Sequence, residues 1–293
     1  MSELRFDRDF KATPGEIVPV SPLIRRVLAN NPSPFTFKGT ATFIVGSGQV
    51  AVIDPGPDDD AHLDALLQAL RGETVCHILV THSHADHSPL TAKLKAATGA
   101  RTYAFGAVIA DHSTALRLDS SIDHDFVPDV KLADGDMIEG QGWSLQALFT
   151  PGHMSNHMCF ALQQERALFA GDHVMAWATS VIAPPDGDMG HYFASLRKLL
   201  DRDDQVYYPA HGPERRDPLP LVRGYLAHRR MREAAILERI RQGARRVDDI
   251  VAAIYADVDP RLQGAAALST RAHLDHLVEQ GRVRETEEGF EAV

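Results

Sequence analysis

Residues 76–87 read Cys76-His77-Ile78-Leu79-Val80-Thr81-His82-Ser83-His84-Ala85-Asp86-His87. Residues 76–80 form an apolar run of the kind covered on both faces of a sheet, so a buried strand is expected there. It leads directly into a loop with four metal-ligand side chains in six positions: His82, His84, Asp86 and His87. His82 and His84, two apart at a strand end, can point the same way. Asp86 and His87 lie past the turn and can face a second position about 3.5 to 4 Å from the first. One short loop thus feeds two metals.

Upstream, residues 42–45 and 50–53 are β-prone runs joined by Gly46-Ser47-Gly48, a hairpin signal, and the second run ends in Asp54-Pro55-Gly56-Pro57. Between that turn and the histidine loop, Leu63, Leu66, Leu67 and Leu70 recur at helical spacing over residues 61–70. A second helix is expected over residues 88–98, closed by Gly99. Downstream, apolar runs at residues 145–149, 167–170 and 205–208 lead into Thr150-Pro151-Gly152-His153, Gly171-Asp172 and Pro209-Ala210-His211-Gly212. Four strand ends therefore present His or Asp at the edge where α/β folds build their sites.

Taken singly, each of these histidines would more often be a core or surface residue. Together, His82, His84, Asp86, His87, His153, Asp172 and His211 read as a two-metal site. Imidazole and carboxylate ligands suit two divalent transition-metal ions, zinc first, with iron or manganese as alternatives. A purely structural zinc site would usually use cysteines, whereas Cys76 and Cys159 both lie in apolar runs and read as small buried hydrophobes. Adjacent open metals activate a bridging water, so hydrolysis by a metal-bridging hydroxide is expected, with Asp86 or Asp172 as the catalytic proton acceptor.

Composition narrows the setting. The chain has 293 residues, 44% hydrophobic and 24% charged, ordinary for a soluble globular protein, with no stretch near the roughly 20 apolar residues of a membrane span. Residues 1–19 lack the apolar run and small-residue cleavage site of a secretory signal, which points to the cytoplasm. A formal net charge of −10 disfavours non-specific attraction to nucleic acid.

The run His82-Ser83-His84-Ala85-Asp86-His87 resembles the signature of the metallo-β-lactamase superfamily, and the later elements match in order over about residues 35–212. The resemblance implies an α/β fold of the αββα sandwich type. It places His82, His84 and His153 on a first metal, Asp86, His87 and His211 on a second, and Asp172 between them. Asp54 matches an acidic residue whose implied role is to orient the metal-binding loop; alone, an Asp before Pro-Gly reads as a turn former. Residues 150–157, His228-Arg229-Arg230 and the tail are similar to a lactamase-B-like group that includes a mitochondrial endoribonuclease of animals.

From about residue 217 a helical stretch carries Leu221, Tyr225, Ile236, Leu237 and Ile240. Helices over residues 247–255 and 268–280, the latter with Leu274, Leu277 and Val278 on one face, then precede a hairpin over 282–293, the order of a winged helix. We place a boundary near residue 228, giving a catalytic domain of residues 1–228 and a winged-helix-like domain of residues 229–293. Residues 231–293 hold nine Arg against twelve Asp plus Glu. DNA-binding modules are usually basic, so the tail reads as a packing unit, a lid, or the contact of a homodimer.

Two features near the ligands have two readings each. His157 is either a group behind or beside the metals or a simple hydrogen-bonded histidine in a strand. Residues 173–191, with Trp177, Pro184-Pro185-Asp186-Gly187 and Asp188, are a candidate pocket wall or a connecting loop whose Asp188 caps a helix carrying Phe193, Leu196 and Leu200.

The expected function is a binuclear metal-dependent hydrolase acting on an ester, thioester, lactone or phosphodiester. Its partner would be a small ester-type substrate or single-stranded RNA, with neither membrane nor DNA involved. Alternatives are an endoribonuclease on single-stranded RNA and an iron-dependent oxidoreductase on the same fold, separated by metal identity and redox turnover.

Overall fold

The alternation of side chains along β3 (Ala41–Ser47) sets up the layers. Phe43 and Val45 face a cluster with Ile53, Leu145, Phe160 and Phe169, whereas Ile44 faces away into a cluster with Val50, Ile78, Leu66 and Leu94. A strand buried on both faces reads as an unbroken apolar run, which is why period-two patterning is faint here. Each fully buried aliphatic or aromatic side chain contributes roughly 1.5–3 kcal/mol.

The computed structural model describes residues 4–108, 122–256 and 259–293. One sheet holds, in spatial order, β1 (Ile17–Pro19), β2 (Ile24–Leu28), β3, β4 (Gln49–Ile53), β5 (Thr74–Leu79), β6 (Arg101–Ala104) and β7 (Val130–Lys131). The second runs from β8 (Met137–Gly140) through β9 (Trp143–Phe149), β10 (Met158–Leu162), β11 (Ala167–Gly171) and β12 (Val206–Pro209) to β13 (Arg215–Arg216). The sheets enclose the first cluster of apolar side chains. Helices α1 (Asp60–Ala69) and α2 (Thr91–Thr98) cover the first sheet, and α3 (Met189–Leu200) and α4 (Leu219–Arg241) cover the second. This is the expected αββα sandwich.

Strand direction brings the four ligand-bearing ends together. β9 and β11 are each antiparallel to β10, and β11 is parallel to β12, so all three leave the second sheet at the same edge. β4 and β5 run parallel in the first sheet. The hydrogen bond from Met158 N to Thr81 O (2.7 Å) joins the start of β10 to the loop after β5.

Helix boundaries carry two corrections. α2 starts at Thr91, three residues later than the spacing suggests, because Ser88 N still bonds back to His84 O (3.2 Å) and closes the ligand loop. On α3, Leu199 rather than Leu200 takes the core position. Gly99 does close α2, in a left-handed conformation (φ 73°) that favours glycine.

The C-terminal unit comprises α5 (Val247–Ile254), α6 (Gln263–Glu279) and the hairpin β14 (Val283–Thr286) with β15 (Gly289–Ala292). Its core joins Ile250, Leu274, Leu277, Val283 and Phe290 to Ile236, Leu237 and Ile240. Those last three belong to α4, which passes residue 228 without a break. The N-terminal half of α4 packs Leu221, Val222 and Tyr225 on the second sheet.

Candidate metal centre

Seven side chains converge where the strand ends meet, forming two groups. In the first, His82 Nε2 lies 2.9 Å from His84 Nδ1, which lies 3.1 Å from His153 Nε2. Asp172 Oδ2 stands 3.6 Å from His153 Nε2. In the second, Asp86 Oδ2 lies 3.4 Å from His87 Nε2 and 3.3 Å from His211 Nε2. Asp172 Oδ1 reaches this group too, 3.2 Å from His211 Nε2 and 3.7 Å from His87 Nε2, so Asp172 stands between the groups. These separations bracket the edge of about 3.3–3.4 Å of a tetrahedron with ~2.0–2.1 Å metal–ligand bonds.

Four of the five histidines are held from behind. His87 Nδ1 bonds Asp54 Oδ2 (3.0 Å), His211 Nδ1 meets Gly39 O (3.2 Å), His153 Nδ1 meets Val181 O (2.6 Å) and His82 Nδ1 meets Thr81 Oγ1 (3.0 Å). A carboxylate or carbonyl oxygen only accepts, so Nδ1 of His87, His211 and His153 carries a proton, and Nε2 is the nitrogen left to face a metal ion. Asp54 also accepts from Thr81 N (2.7 Å) and Thr81 Oγ1 (2.8 Å), and so pins the start of the histidine loop. Thr40 Oγ1 donates to Asp86 Oδ2 (2.8 Å).

This arrangement calls for a cation. Nε2 of His87 and of His211 faces the carboxylates of Asp86 and Asp172, an arrangement that favours positive charge between them, carried by a proton or by a metal ion in its place. His87 Nε2 and Asp172 Oδ1 are buried with no hydrogen-bond partner among the described residues. Burial alone would lower both histidines. Asp172 and Asp86 instead hold His211 up to about 10, and Asp86, Asp54 and Asp172 hold His87 well above its ordinary value. In the first group, burial and the neighbouring imidazoles push His82 down, and burial with His153 brings His84 to about 3, so both stay neutral and able to ligate. The cluster is able to hold metal ions.

Residues 35–211 match the metallo-beta-lactamase superfamily and residues 247–291 the beta-lactamase associated winged helix domain. The chain belongs to the metallo-beta-lactamase superfamily. It is 30% identical to an atrochrysone carboxyl ACP thioesterase of Claviceps purpurea over 83% of this chain and 75% of that one. It is 31% identical to the beta-lactamase-like protein 2 homolog of Drosophila melanogaster over 88% of this chain and 89% of that one. The fold is also that of a beta-lactamase domain protein from Burkholderia ambifaria, at a TM-score of 0.81 and 19% identity, covering 98% of this chain and 97% of that one.

In this member of the superfamily His157 is fully buried. Its Nδ1 meets Thr150 Oγ1 (3.0 Å) and its Nε2 accepts from Asp172 N (3.2 Å). Burial and nearby imidazoles hold it neutral, as that acceptor role requires. It therefore positions the backbone of Asp172 from behind. Gly171 has a φ of 49°, and a Cβ there would stand 2.6 Å from His157 Nε2.

The segment at residues 173–191 borders both groups. Val181 O holds His153, and Trp177 covers Gly212 so closely that a Cβ there would meet its ring at 2.7 Å. Trp177 also stacks on Phe37 at 4.7 Å. Asp188 caps α3 by accepting from His191 N (2.6 Å). The clasp of Thr40, Gly39 and Val181 on the cluster leaves little trace in the sequence, because two of the three act through backbone carbonyls and carry no side-chain signal.

Proposed function

We propose that this protein is a binuclear hydrolase of acyl thioesters, with one divalent ion on His82, His84 and His153, a second on Asp86, His87 and His211, and Asp172 between them. Zinc fits this nitrogen- and oxygen-rich donor set. When bound, the ions would supply Lewis acidity and a water activated near neutral pH. The observation that carries the reading is Asp172, whose two carboxylate oxygens serve the two groups separately.

The chain's own residues supply orientation and proton handling. Asp54, Gly39 and Val181 fix which nitrogen of each ring faces inward. Asp86 has 24% of its side chain exposed against 11% for Asp172, so it is the carboxylate placed to take a proton from the nucleophile at the mouth of the site. A thiol leaving group, with a pKa near 8.5, departs with little help from a proton donor. That suits a site in which all five histidines already aim a nitrogen at the ligand groups. The thioesterase name of the Claviceps relative supports the same substrate class.

The test is to assay the zinc-loaded protein on an acyl-pantetheine thioester, a lactone, a generic phosphodiester and single-stranded RNA. Thioester turnover lost by at least a factor of about 100 in His84→Ala and Asp172→Ala is expected. Cleavage of RNA without thioester turnover, or iron content with redox turnover, would overturn the reading.

A further inference from the structure

Residues 174–181 contain no helix or strand, yet three of their carbonyls, those of Met175, Ala178 and Ser180, accept from side chains of a helix outside the second sheet. Tyr225 Oη on α4 lies within reach of both Ala178 O and Met175 O (2.7 Å for the latter), which share its one proton, and it accepts from Met175 N (3.2 Å). Tyr192 Oη on α3 donates to His173 O (2.8 Å). Arg229 Nη2 on α4 donates to Ser180 O. The next carbonyl along the chain, Val181 O, holds Nδ1 of His153.

Arg229 is an unusual choice for such a contact. It is 3% exposed, and its contact among the described residues is with a carbonyl and not a carboxylate. Its guanidinium rests over the Tyr192 ring at 5.3 Å. Burying a cation without a paired carboxylate is costly, and here the Ser180 carbonyl and the Tyr192 side chain face it instead. The partners that orient His87 and His211, Asp54 and Gly39, belong to other loops.

We infer that Arg229 is a positioning residue for the first metal alone: by anchoring Ser180 it sets the carbonyl of Val181, and through it the direction in which His153 presents Nε2. The inference rests on the two-metal reading above. It explains why a residue on the helix shared with the C-terminal unit carries a buried charge directed at a loop of the catalytic sheet.

The experiment is a zinc titration of the full chain against a competing chelator, repeated with cobalt(II) so that the two ions are followed by their absorption bands. Arg229→Met is expected to weaken the first ion by about 10- to 100-fold, the range for residues that orient ligands, while the second ion keeps its affinity. His153→Ala marks the loss of the first group. Arg229→Lys, which keeps the charge and one donor, should recover part of the affinity, and it carries the test if Arg229→Met does not fold. Equal weakening of both ions, or no weakening of the first, would overturn the inference. A wild-type chain that binds neither ion would instead overturn the two-metal reading itself, and the inference with it.

Discussion

Asp54 accepts a hydrogen bond from His87 Nδ1 at 3.0 Å, and that bond decides which nitrogen of His87 faces Asp86 and Asp172. An amide at position 54 can present its NH2 to the ring instead and favour the wrong tautomer. Asp54→Asn should therefore weaken the second ion by about 10- to 100-fold, and the first by less, through Thr81 and His82. Zinc titration with the two steps resolved checks it, and an unchanged second step would contradict the role given to Asp54.

His157 lies behind Asp172 with both ring nitrogens engaged. His157→Leu would leave the buried N–H of Asp172 without its acceptor, at a cost of about 1–3 kcal/mol. Urea unfolding at neutral pH reads this directly. A loss well under 1 kcal/mol would mean that the Asp172 backbone does not depend on the ring.

The seven clustered side chains could be read from the chain because each follows an apolar run, and a strand buried on both faces must release its polar residues at its end. Asp54 carried the same signal more weakly, since Asp before Pro-Gly is also turn chemistry. Arg229, Tyr225 and Tyr192 gave no such cue. Their partners are backbone carbonyls, 47 to 50 residues away for Tyr225 and 49 for Arg229, and a carbonyl is the same in every residue. β10 escaped for a different reason: its run Met158–Leu162 is apolar throughout but leads to no ligand. β2 hides its pattern behind Arg25 and Arg26, the first of which reaches Glu73 at 2.7 Å.

Gly152, directly before His153, has a φ of 138°, and a Cβ there would stand 2.4 Å from Tyr192 Cα. Gly72 also has a positive φ, 82°, but nothing lies within 4 Å of its would-be Cβ. Both alanine variants suffer backbone strain, roughly 1–3 kcal/mol, and only Gly152→Ala adds a clash with backbone. Denaturant midpoints should fall further for Gly152→Ala than for Gly72→Ala. Equal losses would show that the contact with α3 does not constrain the loop.

Glu233 on α4 accepts from His276 Nδ1 (2.7 Å) and His273 Nδ1 (3.4 Å) on α6. Burial alone would raise its carboxyl, but those bonds hold it down to about 2 from an ordinary 4.5. A carboxyl whose folded value is depressed stabilises the fold above its ordinary value and loses that contribution as pH falls through the folded one. Glu233→Gln should therefore cost roughly 1 kcal/mol at pH 7, and the gap to the wild type should narrow from about pH 4.5 downward. Unfolding curves at pH 7 and pH 3.5 would test it; a gap independent of pH would exclude the charge as its source.

The 23-residue α4 contributes Leu221, Val222 and Tyr225 to one core and Ile236, Leu237 and Ile240 to the other. A rigid rod embedded at both ends transmits torque. Rotating the winged helix by a few degrees about α4 would swing Tyr225 and Arg229 together, and the loop they grip would follow. A rotation of the C-terminal unit would in this way reach His153 through the loop alone, giving the molecule a handle on the far side of its second sheet.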